Sequence, residues 1–461
     1  MDNKKINRAL DMTQGSPARL ILRLAVPLIL ANLGQQLYGI VDAVIVGRGV
    51  GVSAFAALGA CDWLIWCVLW SVQGLTQGFS TRISRQFGAK DMKGFRRTIA
   101  MCVWLCLLIG GGLTLVSVLF SGPLLGLLRT PETIFNGAKL YLRMIYGGTL
   151  IVMGYNMAAA MLRAVGDGKT PLIAMFVAGG SNIILDLLFV MVFRLGIAGA
   201  AAATLLAQLI ALIYCLIVIR KGVQFQLTRE DWRWHTPAAA DLCRLGIPLV
   251  FASLIVAIGG VLAQYVINSY DYIFVAGCTA ANKLHGTLDC SAVAIGFASA
   301  TYMGQNYGAG RFDRIHQGIR SATLIALVIG GAISIIMIIF GRPVVSMFLA
   351  KDVSNAAEAL DVAFRYVRVM SAMLICAYMM NLYRYSLQGL GNTVDPMYSG
   401  IFELAARVGV AYLLPLAIGS AGIFFMDGTA WFAAGVYQFI CFFRTLHRLE
   451  TPGRKSAQAD S

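Results

Sequence analysis

The sequence predicts an all-α integral membrane protein, with twelve transmembrane helices in two six-helix lobes related by a pseudo-twofold axis along the membrane normal. Three observations predict it. Apolar residues make up 58% of the 461 and charged residues only 13%, at a mean hydropathy of +0.74, whereas a soluble domain carries roughly 25% charge. Apolar stretches recur at the length of about 20 residues that a helix needs to cross hydrocarbon. The second half of the chain also repeats the first.

The spans fall at about 18–46, 53–79, 97–121, 137–161, 170–194, 197–220, 242–268, 275–301, 318–341, 360–386, 396–417 and 420–445. The polar start, MDNKKINRALDMTQGSPARL, lacks the short apolar core and small-residue cleavage site of a secretory signal. Residues 1–17 therefore read as a cytoplasmic tail before a retained first span. The longest polar connector, 221–241 (KGVQFQLTREDWRWHTPAAAD), reads as a cytoplasmic linker between an N-terminal lobe (18–220) and a C-terminal lobe (242–447), with 448–461 as a second tail.

The net charge of +15 raises nucleic-acid binding, and the placement of the charges argues against it. Lys and Arg lie in short clusters between apolar stretches instead of along one basic face. Both tails and the connectors after even-numbered spans, with their flanking turns, hold roughly 25 of the 37, the asymmetry expected of cytoplasmic loops. Both termini are expected inside a bacterial cytoplasmic membrane. The ten cysteines lie mostly in apolar runs with no CxxC pair, which reads as buried, reduced thiols.

The internal repeat is specific. Arg23-Leu-Ala-Val-Pro27 returns as Arg244-Leu-Gly-Ile-Pro248, and Gln86-Phe-Gly-Ala89 as Asn306-Tyr-Gly-Ala309. Tyr141-Leu-Arg143 returns as Tyr366-Val-Arg368, Asn156 as Asn381, and Leu162, Gly166 and Pro171 as Leu387, Gly391 and Pro396, in one register without a gap. Each half has an even number of spans, so both insert the same way up and a site is expected where they meet.

An ionisable side chain inside a span is a functional candidate, because it costs about 2.5–3.5 kcal/mol at the helix centre on insertion scales. The first half offers Asp42 and Asp186. Asp42 lies six residues before Arg48, about 9 Å of helical rise inside that end. Asn32, Gln35, Gly39 and Asp42 form one polar stripe at three- and four-residue steps. Asp186 follows Asn182 by one turn on one face, and Asn156 and Thr204 could complete a ring, with Gln208 one turn beyond Thr204. Two acids with amide and hydroxyl oxygens can share a proton or cage an alkali cation, so a transient sodium site at Asp42, Asn182, Asp186 and Thr204 is one expectation. The bland alternatives are Asp42 and Asp186 pairing with Arg48 or Arg194 near an interface, and Asn156 and Thr204 making helix–helix hydrogen bonds.

The second half breaks this symmetry. Span 7 has no acid, span 8 carries Lys283, His285 and Asp289, and span 11 carries Glu403 and Arg407 one turn apart. The Glu403–Arg407 pair reads as a structural ion pair. Asp289 reads as a cavity candidate, and His285 as a packing residue. Aromatic faces attract cations and Met adapts to shape. Gln35, Tyr38, Met153, Tyr265, Asp289, Met303 and Tyr378 are thus candidate substrate-cavity residues, with Trp63 and Trp66 further aromatic candidates.

Taken together, LAVPLILANLGQQLYGIVDAVIVGR, Gln86-Phe-Gly-Ala89, LRAVGDGKTP (162–171), NIILD (182–186) and GIAGAAAATLLAQ (196–208) resemble the multidrug and toxic compound extrusion (MATE) family. The resemblance covers residues 16–447. It implies a V-shaped pair of lobes that exports organic cations or other drug-like amphiphiles, driven by inward flow of H+ or Na+. It also implies that Asp42, Asn182, Asp186, Thr204 and Asn156 match the family's cation-coupling cluster. No cofactor and no nucleic acid is expected, and a monomer suffices. The chain departs from the pattern at Leu187, where many members have Pro, and in lacking the span 7 Glu of one branch. The alternatives are a lipid-linked saccharide flippase of the same superfamily and, from another class, a polytopic membrane enzyme. The first would want a strongly cationic cavity, and within the spans only Lys283, Arg384 and Arg407 are candidates. The second would want a nucleophile or metal motif, and neither HExxH nor GxSxG occurs.

Overall fold

Inside hydrocarbon every backbone amide must find its partner within the protein, which leaves helices and closed barrels as the spanning solutions. This chain takes the first. The structure, a computed structural model, describes residues 9–50, 52–128, 130–348 and 356–459, excepting the side chains of residues 43, 48, 52–55 and 452–459. The first eight residues of the expected tail, part of the connector before span 10 and the side chain of Arg48 therefore lie outside the described residues. Among those described there is no strand.

The helices are α1 (Pro17–Gly49), α2 (Val52–Gly88), α3 (Met92–Leu127), α4 (Glu132–Gly147), α5 (Thr149–Ala164), α6 (Lys169–Asp186) and α7 (Gly196–Lys221). The second half follows with α8 (Thr236–Ile267), α9 (Tyr272–Gly308), α10 (Phe312–Ser346), α11 (Ala356–Ala372), α12 (Leu374–Gly389), α13 (Val394–Ile418) and α14 (Met426–Ala459). The pair α4–α5 is one span bent by 44°, and α11–α12 one span bent by 50°. Counted so, the fourteen helices make the twelve spans expected, in order. Length and apolarity alone identify eight, or ten with the bent pairs. α9 falls short because Lys283, His285 and Asp289 interrupt it, and 394–451 runs α13 and α14 together.

The repeat is visible in the backbone. The bends fall at matching positions: Gly148 N–H donates to the Met144 and Ile145 carbonyls, and Met373 N–H to those of Val369 and Met370. The turns after the bent spans also match. Asp167 N–H reaches the Leu162 carbonyl at 2.9 Å, and Asn392 N–H that of Leu387 at 3.0 Å. Both turns need a residue in the left-handed region, and glycine fills it at φ +83° (Gly166) and +80° (Gly391).

The chain divides into two compact units, residues 1–11 with 26–250, and 12–25 with 251–461. The first turns of α1 thus belong to the second unit and the first turns of α8 to the first, with the changeover beside Pro27 and Pro248. In the first unit α2 and α8 touch backbone to backbone. A Cβ on Gly78 would meet the Gly246 Cα at 2.5 Å, so no larger residue fits. The matching residues of the second unit, Ala25 and Ala298, are fully buried.

The polar segments are docked. In the linker, Asp231 pairs with Arg96 of α3 at 3.7 Å, and the Trp232 carbonyl accepts from the Trp104 indole at 3.2 Å. Asp241 pairs with Arg82 of α2. Residues 9–16, expected as free tail, are held as well. Leu10 N–H donates to the Val165 carbonyl at 2.8 Å. Met12 is fully buried, donates to Gln305 Oε1 at 2.9 Å and accepts from Asn306 Nδ2 at 3.1 Å.

Candidate functional site

In the first unit, small residues bring α1 flush against α6. A Cβ on Gly179 would touch Tyr38 at 3.4 Å, and one on Gly34 would touch Phe176 at 3.5 Å. At the end of α1, Gly49 abuts Val190 and Met191. There α6 opens into a π-helical turn, Leu187–Val192, immediately after Asp186. Such turns insert an extra residue into the ladder and recur at functional sites. Leu187, where the resemblance would put Pro, keeps its N–H in that turn, donating to the Ile183 and Ile184 carbonyls.

This contact brings the two acids together. The Asp42 and Asp186 carboxyls lie within hydrogen-bonding reach of one another. Asp186 is fully buried, and neither of its oxygens nor Oδ1 of Asp42 receives a protein hydrogen bond. Asn182 lies beside the Asp186 carboxyl, 2% exposed, with both amide atoms short of a partner. One turn further along, Val46, Val190 and Ala200 pack as an apolar cluster. They stand one turn from Asp42, Asp186 and Thr204 respectively, so the cluster closes one end of a polar chamber among α1, α6 and α7. The Thr204 hydroxyl donates to the Ala200 carbonyl at 3.1 Å, and Asn156 Nδ2 to that of Val152 at 2.9 Å. Both thus bond back into their own helices, and the Thr204 oxygen keeps its lone pairs for a ligand.

Buried polar groups are almost always hydrogen-bonded, and two facing carboxylates have no donor between them. The chamber is electrostatically unfinished. A proton on one acid closes the pair, and an alkali cation can be held by carboxylate, amide and hydroxyl oxygens. Among the described residues no group of three or more His, Cys, Asp or Glu could hold a metal ion.

Sequence reasoning missed one neighbour of this pair, Tyr141, and an acid that Tyr141 also meets, Asp62. Tyr141 of α4, 9% exposed, lies in electrostatic contact with Asp42, Asp62 and Asp186. It had signalled itself only as a repeat, with Tyr366. Asp62, an acid inside predicted span 2, met the same criterion as Asp42 and was passed over. Of the cavity candidates, Tyr38 bonds Gln35 and flanks the acid pair. Met153, Met303 and Tyr378 are core side chains at 0%, 0% and 1% exposure, whereas Tyr265 is 71% exposed. Trp63 and Trp66 are exposed too.

The second unit carries a different cluster. Glu403 accepts from Arg384 at 2.6 Å and from Arg407 at 3.0 Å. Arg407 Nε also donates to Asp427 at 3.0 Å, and the Tyr366 hydroxyl donates to the other Asp427 oxygen at 2.6 Å. Asp289 accepts from Asn381 at 3.0 Å. The Glu403–Arg407 pair is thus the centre of a larger network, and Asp427 and Tyr366 are members that sequence reasoning did not identify.

A family model, MatE, matches the chain twice, over residues 27–188 and 248–413, one copy in each half. A Bacillus subtilis (strain 168) protein named probable multidrug resistance protein YpnP is 32% identical over 346 residues, covering 75% of this chain and 77% of its own length. A second from that organism, probable multidrug resistance protein YoeA, is 26% identical and covers 84% and 85%. A solved structure of a MOP superfamily transporter from Pyrococcus furiosus Vc1 superposes at a TM-score of 0.90 with 22% identity, covering 97% of this chain and 100% of that one.

Proposed function

Because the chain belongs to the MatE family, whose members are multi-pass membrane transporters and not enzymes, we propose that it exports small drug-like molecules, organic cations or other amphiphiles. The driving force is the inward flow of protons or sodium through the Asp42–Asp186 chamber. One observation carries the reading: two acids face one another beside a buried amide, and both oxygens of the buried Asp186 and Oδ1 of Asp42 lack a donor. Two relatives named as probable multidrug resistance proteins support the substrate class.

The ion acts by what it binds. A proton or sodium ion in the chamber removes the repulsion between the facing carboxylates of α1 and α6, and its release restores it. The ion biases the transporter between outward- and inward-open states only by its differential affinity for the two. Asp42, Asp186, Asn182 and Thr204 supply the oxygens, and Tyr38 and Tyr141 border them. Both termini lie on the cytoplasmic side of the plasma membrane, and one chain suffices.

The flippase alternative wants unneutralised cations facing a diphosphate. Arg384 and Arg407 are instead committed to Glu403 and Asp427, which disfavours it.

The test is efflux of a fluorescent cation, such as ethidium, from proteoliposomes under an imposed proton or sodium gradient. Gradient-driven movement that vanishes in Asp42→Asn is the expected result, and the gradient that works names the ion. Wild-type transport by Asp42→Asn would remove the acid pair from the mechanism.

A further inference from the structure

The charge network of the second unit does not balance. Asp289, Glu403 and Asp427 contribute three carboxylates, and Arg384 and Arg407 two guanidiniums. Glu403 takes both guanidiniums, and Asp427 takes Arg407 and the Tyr366 hydroxyl. Asp289 has only the neutral amide of Asn381 as a hydrogen-bond partner and shares the field of Arg384, which is bonded to Glu403, so the unmatched negative charge falls to it. An unpaired charge in an apolar interior is the costly arrangement, relieved by pairing or neutralisation.

His285 stands where that charge can be met. It lies one turn before Asp289 on α9, within electrostatic reach of both Asp289 and Asp427. Its Nε2 is buried and has no hydrogen-bond partner. Its ring stacks on the Trp431 indole, at 5.1 Å between centroids and 20° between planes. Trp431 follows Asp427 by one turn on α14, so the imidazole is held between an acid on its own helix and an acid beside its stacking partner. The other titratable groups around it are the paired Arg384, Glu403 and Arg407, Tyr366 on Asp427, Tyr378 bonded to the Leu288 carbonyl, and Cys278 near Asp427. Lys283, one turn the other way, is exposed.

We infer that His285, with Asp289 and Asp427, forms a second proton-binding centre, contained within the second unit and separate from the Asp42–Asp186 chamber. Its ligand is a single proton, taken up on the imidazole to complete the charge balance of the network. Imidazole is the side chain that changes charge between about pH 5 and 8. The centre therefore has two charge states, with and without that proton. It stands whether or not the first chamber couples transport.

The stack supplies a direct readout, because an imidazolium held against an indole quenches its fluorescence. Tryptophan emission of the purified full-length protein in detergent is followed from pH 8 to pH 5. Wild type, Asp42→Asn, His285→Gln, Trp431→Phe and Asp289→Asn are compared, each first checked for a monodisperse elution peak. Quenching on acidification is expected in wild type and unchanged in Asp42→Asn. It is lost in both His285→Gln and Trp431→Phe and weakened at a given pH in Asp289→Asn. A wild-type emission that does not respond to pH overturns the inference without recourse to any variant. So does full-amplitude quenching in His285→Gln, and undiminished quenching in Asp289→Asn removes Asp289 from the centre. A proton centre that survives here while Asp42→Asn still transports would separate this inference from the coupling role proposed for the first unit.

Discussion

The two halves of this chain share a backbone plan and differ in how they treat buried charge. By the register of the repeat, Asn182 corresponds to Arg407, Ala178 to Glu403, Asp186 to Ala411 and Asp42 to Ala263. The first unit therefore keeps two acids and no cation at this crossing. The second keeps an acid and a guanidinium one turn apart and has alanine where the acids would be. Even the packing is exchanged. Tyr38 lies on Gly179 in the first unit, and Gly259 lies on Leu404 in the second, with Arg407 Nη1 beside it. One crossing is left polar and incomplete, and the other is closed by its own ion pairs. A duplicated fold thus fixes where polar groups can sit, and divergence decides whether an external ion is needed to satisfy them.

The largest effect that could break this comparison is functional. Asp42→Asn or Asp186→Asn should reduce gradient-driven efflux to the level of empty liposomes while leaving the melting temperature in detergent near wild type. An efflux-competent Asp186→Asn would make the first crossing as structural as the second. Glu403→Gln should do the reverse, because it strands the half-buried Arg384 guanidinium and leaves Arg407 to Asp427 alone. The expected cost is about 3–5 kcal/mol, read as a lower melting temperature and lower yield, with transport kept by the protein that folds. A well-folded Glu403→Gln without transport would move the network into the transport pathway. A smaller loss, about 1.5–3 kcal/mol for a hydrogen bond to a charged group, is expected from Tyr366→Phe. Tyr141→Phe should cost less in stability, since no carboxylate is held by its hydroxyl in the way Tyr366 holds Asp427. The smallest effects test the repeat itself. Gly391→Ala should cost about 1–2 kcal/mol for forcing a side chain into the left-handed region. Gly166→Ala should cost more, because its Cβ would also meet Leu10 at 2.7 Å. Thermal unfolding of the two variants side by side checks the order.

The fold was legible because its signals are one-dimensional. Hydropathy and length define spans, and the paired motifs from Arg23 to Pro396 define the repeat. α9 is the instructive case. Its polar residues take it below the threshold for a span, yet its place is certain because α2 stands at the matching position of the first half. The candidate site was legible in part. Asp42 and Asp186 declare themselves as acids in apolar helices, and so did Asp62 and Asp427, to which the same rule was not applied. Tyr141 and Tyr366 could not be assigned roles, since tyrosine inside a span is ordinary until its neighbours are known.

By itself the sequence determined the all-helical class, the twelve spans, the duplication and which helices carry acid. Each of these follows from composition and period along the chain. Only the tertiary structure decided which acids meet, which are neutralised, and that the expected tail and linker are docked on the helices. It also decided that α6 leaves the α-helical register at Leu187 and that His285 faces Trp431. The physical reason is the reach of the forces involved. Burial and helix formation are set within one or two turns, whereas pairing of charges joins side chains on different helices, from Arg384 and Glu403 to Arg82 and Asp241, whose contact exists only once the helices have packed.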